Sequence, residues 1–146
     1  MKQYPVLNTQ VIGQAESALG AILDPILAQT GVSFPEWLVL AVSASSGGSA
    51  EREQLISRIT DARKIEDTVV LAAVTDLAEA GLVTEDSGRV ALTSTGQTRY
   101  QDVRARIADV TARLFADLAA DDLQTAGRVL AIITERANAV LAGSPS

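Results

Sequence analysis

The chain has 146 residues, 47% hydrophobic but only 3% aromatic. Its core must therefore come from Leu, Val, Ile and Ala, which favours packed helices in a single domain spanning 1–146. It contains no Cys and no His, which excludes Cys/His metal centres, thiol chemistry and His acid–base catalysis. Twelve Lys and Arg against eighteen Asp and Glu give a net charge of −6, against the basic face that nucleic-acid binders usually carry.

The start, Met1-Lys2-Gln3-Tyr4-Pro5, lacks a signal-peptide pattern, and no apolar run approaches the ~20 residues of a membrane span, so the sequence reads as soluble and cytoplasmic with no membrane partner. From residue 8 to about 29, Val11, Ile12, Ala15, Leu19, Ile22, Leu23, Ile26 and Leu27 recur at helical spacing. Pro25 lies inside this stripe and predicts a kink or break near Leu23-Asp24. Ser33 as N-cap, Pro35 early in the first turn and Glu36 at the positive end predict a second helix over 35–45. Residues 43–49, rich in Ser and Gly, read as a loop between helices.

Two short helices follow, one over 50–60 with Leu55, Ile56 and Ile59 inward, the other over 65–80 with Val69, Val70, Ala73, Val74, Leu77 and Ala80, stopped by Gly81. Residues 82–92 read as two strands around Ser87-Gly88, a hairpin too small to stand alone. Thr93 or Ser94 caps a long helix over 95–119 with Tyr100, Val103, Ile107, Val110, Leu114 and Leu118 on one face. Asp121-Asp122 opens a last helix through Leu123, Ala126, Val129, Leu130, Ile133, Ala137 and Leu141, and Gly143-Ser144-Pro145-Ser146 should fray.

Helix, turn, helix, hairpin, helix is the plan of a mainly α (α+β) winged helix-turn-helix. The order of elements, with Leu55-Ile56-Ser57-Arg58-Ile59, Leu77-Ala78-Glu79-Ala80-Gly81-Leu82-Val83 and Leu92-Thr93-Ser94-Thr95-Gly96, resembles the MarR family of bacterial transcriptional regulators over nearly the whole chain. The resemblance implies a homodimer with dimerisation helices over 8–32 and 95–142 and a winged helix-turn-helix over 33–94. It implies a recognition helix over 65–80 in the major groove of double-stranded operator DNA, a short β-hairpin wing on the neighbouring minor groove, and release by a small aromatic effector.

On this alignment the candidate DNA contacts are Arg52, Arg63, Lys64, Thr68, Thr75 and Arg89, with Leu71 or Ala72 available for a thymine methyl. Arg63-Lys64 precedes the recognition helix where a phosphate contact would sit, although a solvated pair fits equally. Arg52 and Arg58 have Glu51, Glu53 and Asp61 near them for helix-surface ion pairs. Arg99, Arg104, Arg106 and Arg113 alternate with Asp102, Asp109 and Asp117 as on a solvated face. Phe34, Trp37 and Tyr100 are the candidate effector-binding residues, with core packing as the competing role. No nucleophile motif or phosphate loop is present, so neither catalytic residues, cofactor nor metal is expected.

Residues 50–93 carry five basic side chains against nine acidic ones. The recognition helix offers no Arg, Asn or Gln, and the wing tip shrinks to Glu85-Asp86-Ser87-Gly88-Arg89. A second function therefore competes with the first: a winged-helix protein that has lost DNA binding and serves as a protein-interaction or ligand-sensing module.

Overall fold

The computed structural model describes residues 3–143. Among them are six helices, α1 (Thr9–Thr30), α2 (Phe34–Ser45), α3 (Arg52–Arg63), α4 (Asp67–Glu79), α5 (Ser94–Leu114) and α6 (Ala120–Leu141), and three strands, β1 (Ser49–Glu51), β2 (Val83–Asp86) and β3 (Arg89–Leu92). The fraying expected of the tail falls on Ser144, Pro145 and Ser146, which lie outside the described residues.

The chain divides into two compact units, Met1–Asp109 and Val110–Ser146, with the division inside α5. In the first unit the core gathers Leu27 of α1, Val39 and Leu40 of α2, Leu55 and Ile59 of α3, Val70, Ala73, Val74 and Leu77 of α4, Val83 and Val90 of the sheet, and Val103 of α5. The aliphatic composition is thus met by side chains from every layer, with Trp37 and Tyr100 half-buried against them. The second unit holds the end of α5 and all of α6. None of the α6 residues is buried, and Leu114, Phe115, Leu118, Leu123, Leu130, Ile133, Val140 and Leu141 are exposed.

Local chemistry accounts for the helix ends. Asn8 caps α1 through its side-chain oxygen, which accepts from the Val11 amide at 2.9 Å. Ser33 and Glu36 form a complete capping box at α2, each side chain satisfying the other's backbone N–H, at 3.2 and 2.7 Å.

Of the kink or break expected at Pro25, the break does not occur, since α1 runs unbroken from Thr9 to Thr30. Proline removes the donor for the Ala21 carbonyl at a cost of about 3 kcal/mol. The packing of Leu23, Ile26 and Leu27 on the core supplies the offset. By length and composition α1 is also apolar enough to cross a membrane, which corrects the reading that no segment approaches a span; Leu27 and Thr30 at its C-terminal end are nevertheless buried in protein.

Two further boundaries differ from the sequence reading. The stretch 43–49 is not all loop: Ser49–Glu51 pairs antiparallel with β3, Ala50 opposite Val90, so the sheet has three strands in the order β1-β3-β2. The long helix ends at Leu114 rather than 119, because the backbone leaves the helical region and Asp117 adopts φ +64°.

The wing hairpin closes on Ser87 and Gly88, both at positive φ, which matches the right-handed twist of the two strands. Gly81, at φ +77°, ends α4 and lets the Leu82 amide turn back to the Leu77 carbonyl at 2.9 Å. Thr93 then joins this turn to α5. Its hydroxyl donates to the Gly81 carbonyl at 2.7 Å and accepts from the Gly96 amide at 3.0 Å, while its own amide donates to the Leu82 carbonyl at 3.1 Å. Gly96 is required by contact: a Cβ there would lie 1.9 Å from the Leu82 carbonyl oxygen. The two halves of the motif, Gly81-Leu82-Val83 and Leu92-Thr93-Ser94-Thr95-Gly96, are therefore the two sides of one joint.

Candidate nucleic-acid interface

Helix α4 buries Val70, Ala73, Val74 and Leu77 and leaves Thr68, Val69, Ala72, Thr75 and Asp76 exposed along one stripe. It packs on α2, α3 and β2, so this stripe is presented by a helix held on three sides. Thr68 is exposed in the first turn. Thr75 is also exposed, but its hydroxyl donates to the Leu71 carbonyl at 3.1 Å.

Arg52 opens α3 next to β1, and Arg89 opens β3; Glu51 pairs with Arg89 across the sheet. Both guanidinium groups line one open recess of about 280 Å³ with Glu85, Asp86, Ser87 and Gly88. Arg52 Nε lies 3.0 Å from Glu85 Oε1, and Arg89 Nη2 donates to Ser49 Oγ at 3.0 Å. The helix-surface pairing expected for Arg52 is replaced by this bridge to the wing, and Arg58 donates to Ser46 Oγ at 3.0 Å. Two cations and two carboxylates share the recess, so it is charge-balanced rather than basic. Its ion pair is half exposed and is worth at most about 1 kcal/mol.

The other two candidate cations go elsewhere. Lys64 sits in the left-handed turn after α3 with its ammonium hydrogen-bonded to the Asp61 carbonyl. Arg63 lies over the Phe34 ring, 5.0 Å from its centroid, and lines a recess of about 420 Å³ with Leu19, Leu23 and Asp24 of α1. The structure thus gathers Arg52 with Arg89 at the wing and takes Arg63 to an aromatic ring.

The candidate effector residues also divide into two groups. Trp37 and Tyr100 stack on each other with centroids 5.4 Å apart and planes at 16°, whereas Phe34 carries Arg63. The stack alone is worth about 0.5–1.5 kcal/mol beyond area burial. Beside Tyr100, Arg99 Nη1 donates to the Thr30 carbonyl at the end of α1 at 2.9 Å. Arg106 donates to Gln29 Oε1 at 3.1 Å and pairs with Asp102 at 3.2 Å. Sequence reasoning treated these arginines as a solvated face. No local signal marks them as anchors, because their α1 partners lie 69 and 77 residues away.

No protein-family model matches the sequence, and no curated protein matches it. Solved structures do. Ligand-free NadR superposes with a TM-score of 0.73 at 22% identity, covering 90% of this chain and 99% of that one. CouR from Rhodococcus jostii RHA1 gives 0.72 at 16% identity over 85% and 89%. A MarR-family transcriptional regulator from Silicibacter pomeroyi gives 0.68 at 20% identity over 84% of each chain. The chain has the fold of the MarR-family regulators. In a MarR fold α3 and α4 form the helix-turn-helix, β2 and β3 the wing, and α1, α5 and α6 flank them in sequence.

Proposed function

We propose that this protein is a non-enzymatic, cytoplasmic DNA-binding transcriptional regulator of the MarR type. It acts as a homodimer on a pseudo-palindromic operator and is released by a small-molecule effector. The observation that carries the reading is the exposed stripe of α4, held on a helix-turn-helix beside a wing whose base brings Arg52 and Arg89 together. The MarR fold supports it as analogy.

Dimerisation is supported by the exposed apolar residues Leu123, Leu130, Ile133, Val140 and Leu141 of α6 and by Leu19 and Ile22 on α1. The same pairing gives the apolar helix α1 a place in a soluble protein. Two copies related by a two-fold axis would set two α4 helices into successive major grooves. An effector is supported by two of the similar structures, NadR in complex with 4-hydroxyphenylacetate and CouR bound to p-coumaroyl-CoA, whose ligands carry a phenol ring. Here Trp37, Tyr100 and Phe34 are the aromatic residues able to meet such a ring.

A specific observation favours the second reading, an interaction or sensing module without DNA affinity: each candidate cation is already engaged, Arg52 by Glu85, Arg89 by Ser49, Lys64 by Asp61 and Arg63 by Phe34. Fluorescence anisotropy with duplex DNA from upstream of its own gene, at low and moderate salt, separates the two. Binding that weakens with salt and is lost in Arg52→Ala/Arg89→Ala, with Arg63→Ala behaving as wild type, establishes the regulator and its wing contacts. An absence of binding at low salt establishes the module. Sedimentation of Leu130→Glu/Ile133→Glu checks the dimer, whose mass should halve.

A further inference from the structure

The α4 stripe has an unusual chemistry for a helix that reads bases. Between Asp67 and Glu79 there is no Arg, Lys, Asn or Gln. The guanine O6 and N7 acceptors, usually read by a bidentate cation, and the adenine edge, read by an amide, therefore have no bidentate partner on this helix. Its hydrogen-bonding groups are the Thr68 hydroxyl, the Thr75 hydroxyl, whose proton is taken by the Leu71 carbonyl, and carboxylates that repel phosphate. Its most prominent exposed feature is apolar: Val69 is left 42% exposed, with Ala72 exposed one turn on.

Apolar side chains in the major groove have one base-specific counterpart, the C5-methyl group of thymine. Val69 and Ala72 are separated by about 4.5 Å along the helix axis at 1.5 Å per residue. That exceeds one ~3.4 Å step between successive bases on a strand and falls short of two, so the pair can span two adjacent bases. We infer that α4 selects its half-site by apolar contact of Val69 and Ala72 with thymine methyls on adjacent A·T pairs, and that this helix makes no bidentate contact to guanine. The inference rests on the DNA-binding reading above and specifies what that site recognises.

The test is binding-site selection with the full-length protein from a random duplex library, followed by uracil replacement of each thymine in the enriched half-site. Uracil differs from thymine only by the methyl group. Adjacent A·T pairs should be enriched. Each contacted thymine changed to uracil should weaken wild-type binding about fourfold, the value of one buried methyl-sized group. In Val69→Ala the thymine-over-uracil preference should shrink toward unity at one of the two positions, with the dependence on salt unchanged because no phosphate contact is lost. Val69 is not part of the buried core, so this variant should keep its helical circular dichroism. An enriched half-site that depends on guanine at the contacted positions, or that binds uracil as well as thymine, overturns this inference and leaves the regulator standing. A selection that enriches nothing overturns both.

Discussion

At the joint between α4 and α5, contacts are made largely by backbone and leave no slack: Gly96 fits under the Leu82 carbonyl, and Thr93 holds the Gly81 carbonyl and the Gly96 amide with one hydroxyl. At the base of the wing the contacts are long side chains meeting in water, Arg52 with Glu85 and Arg89 with Ser49. The first region fixes the end of α4 against the start of α5, at a cost to any residue that adds volume. The second fixes almost nothing and leaves its charges free to change partners. A rigid joint carrying an adaptable polar edge is what a surface needs when it must meet a ligand of defined shape with loosely held counter-charges.

Gly96→Ala breaks the comparison at its strongest point. Its added Cβ meets a backbone oxygen that cannot rotate away, so destabilisation of at least about 3 kcal/mol is expected, a drop of roughly 10 °C in melting temperature at fixed protein concentration. Gly13→Ala, in the exposed first half of α1 with open space around it, is the control of opposite sign. It should stabilise by about 0.5–1 kcal/mol from helix propensity alone. Thr93→Val keeps the shape of the joint and removes both hydroxyl bonds, which should cost about 1–2 kcal/mol in urea unfolding. At the wing, Glu85→Gln should change stability by less than about 0.5 kcal/mol. The same variant should tighten DNA binding with little change of log–log salt slope, since Arg52 no longer has to leave a carboxylate to take a phosphate. An unchanged affinity would mean that Arg52 does not face the duplex.

The joint was more legible in the sequence than the wing base, for a physical reason. Gly81 and the Thr93 cap are local devices whose partners lie within a few residues, as is the Ser33 cap of α2, so spacing alone exposes them. Strand β1 was missed because three residues are too few to show an alternation and its partner β3 lies some 40 residues on. The extension of the long helix to 119 followed the apolar spacing of Leu114 and Leu118, and nothing local announced the left-handed turn at Asp117. For the candidate site, residue types were legible and destinations were not. Arg63 and Arg89 look alike in sequence, yet one lies over an aromatic ring and the other binds a serine beside the wing. Arg99 reveals itself as an anchor of α1 only when residue 30 is folded against it.

The close approach of Gly96 to Leu82 also acts as a mechanical coupling. A joint with no room for one methyl group has no play, so the start of α5 cannot slide along the end of α4 without overlapping a carbonyl oxygen. A tilt of the first turns of α5 that brings Gly96 toward Leu82 must therefore carry the end of α4 with it, as one link of a hinge drives the next.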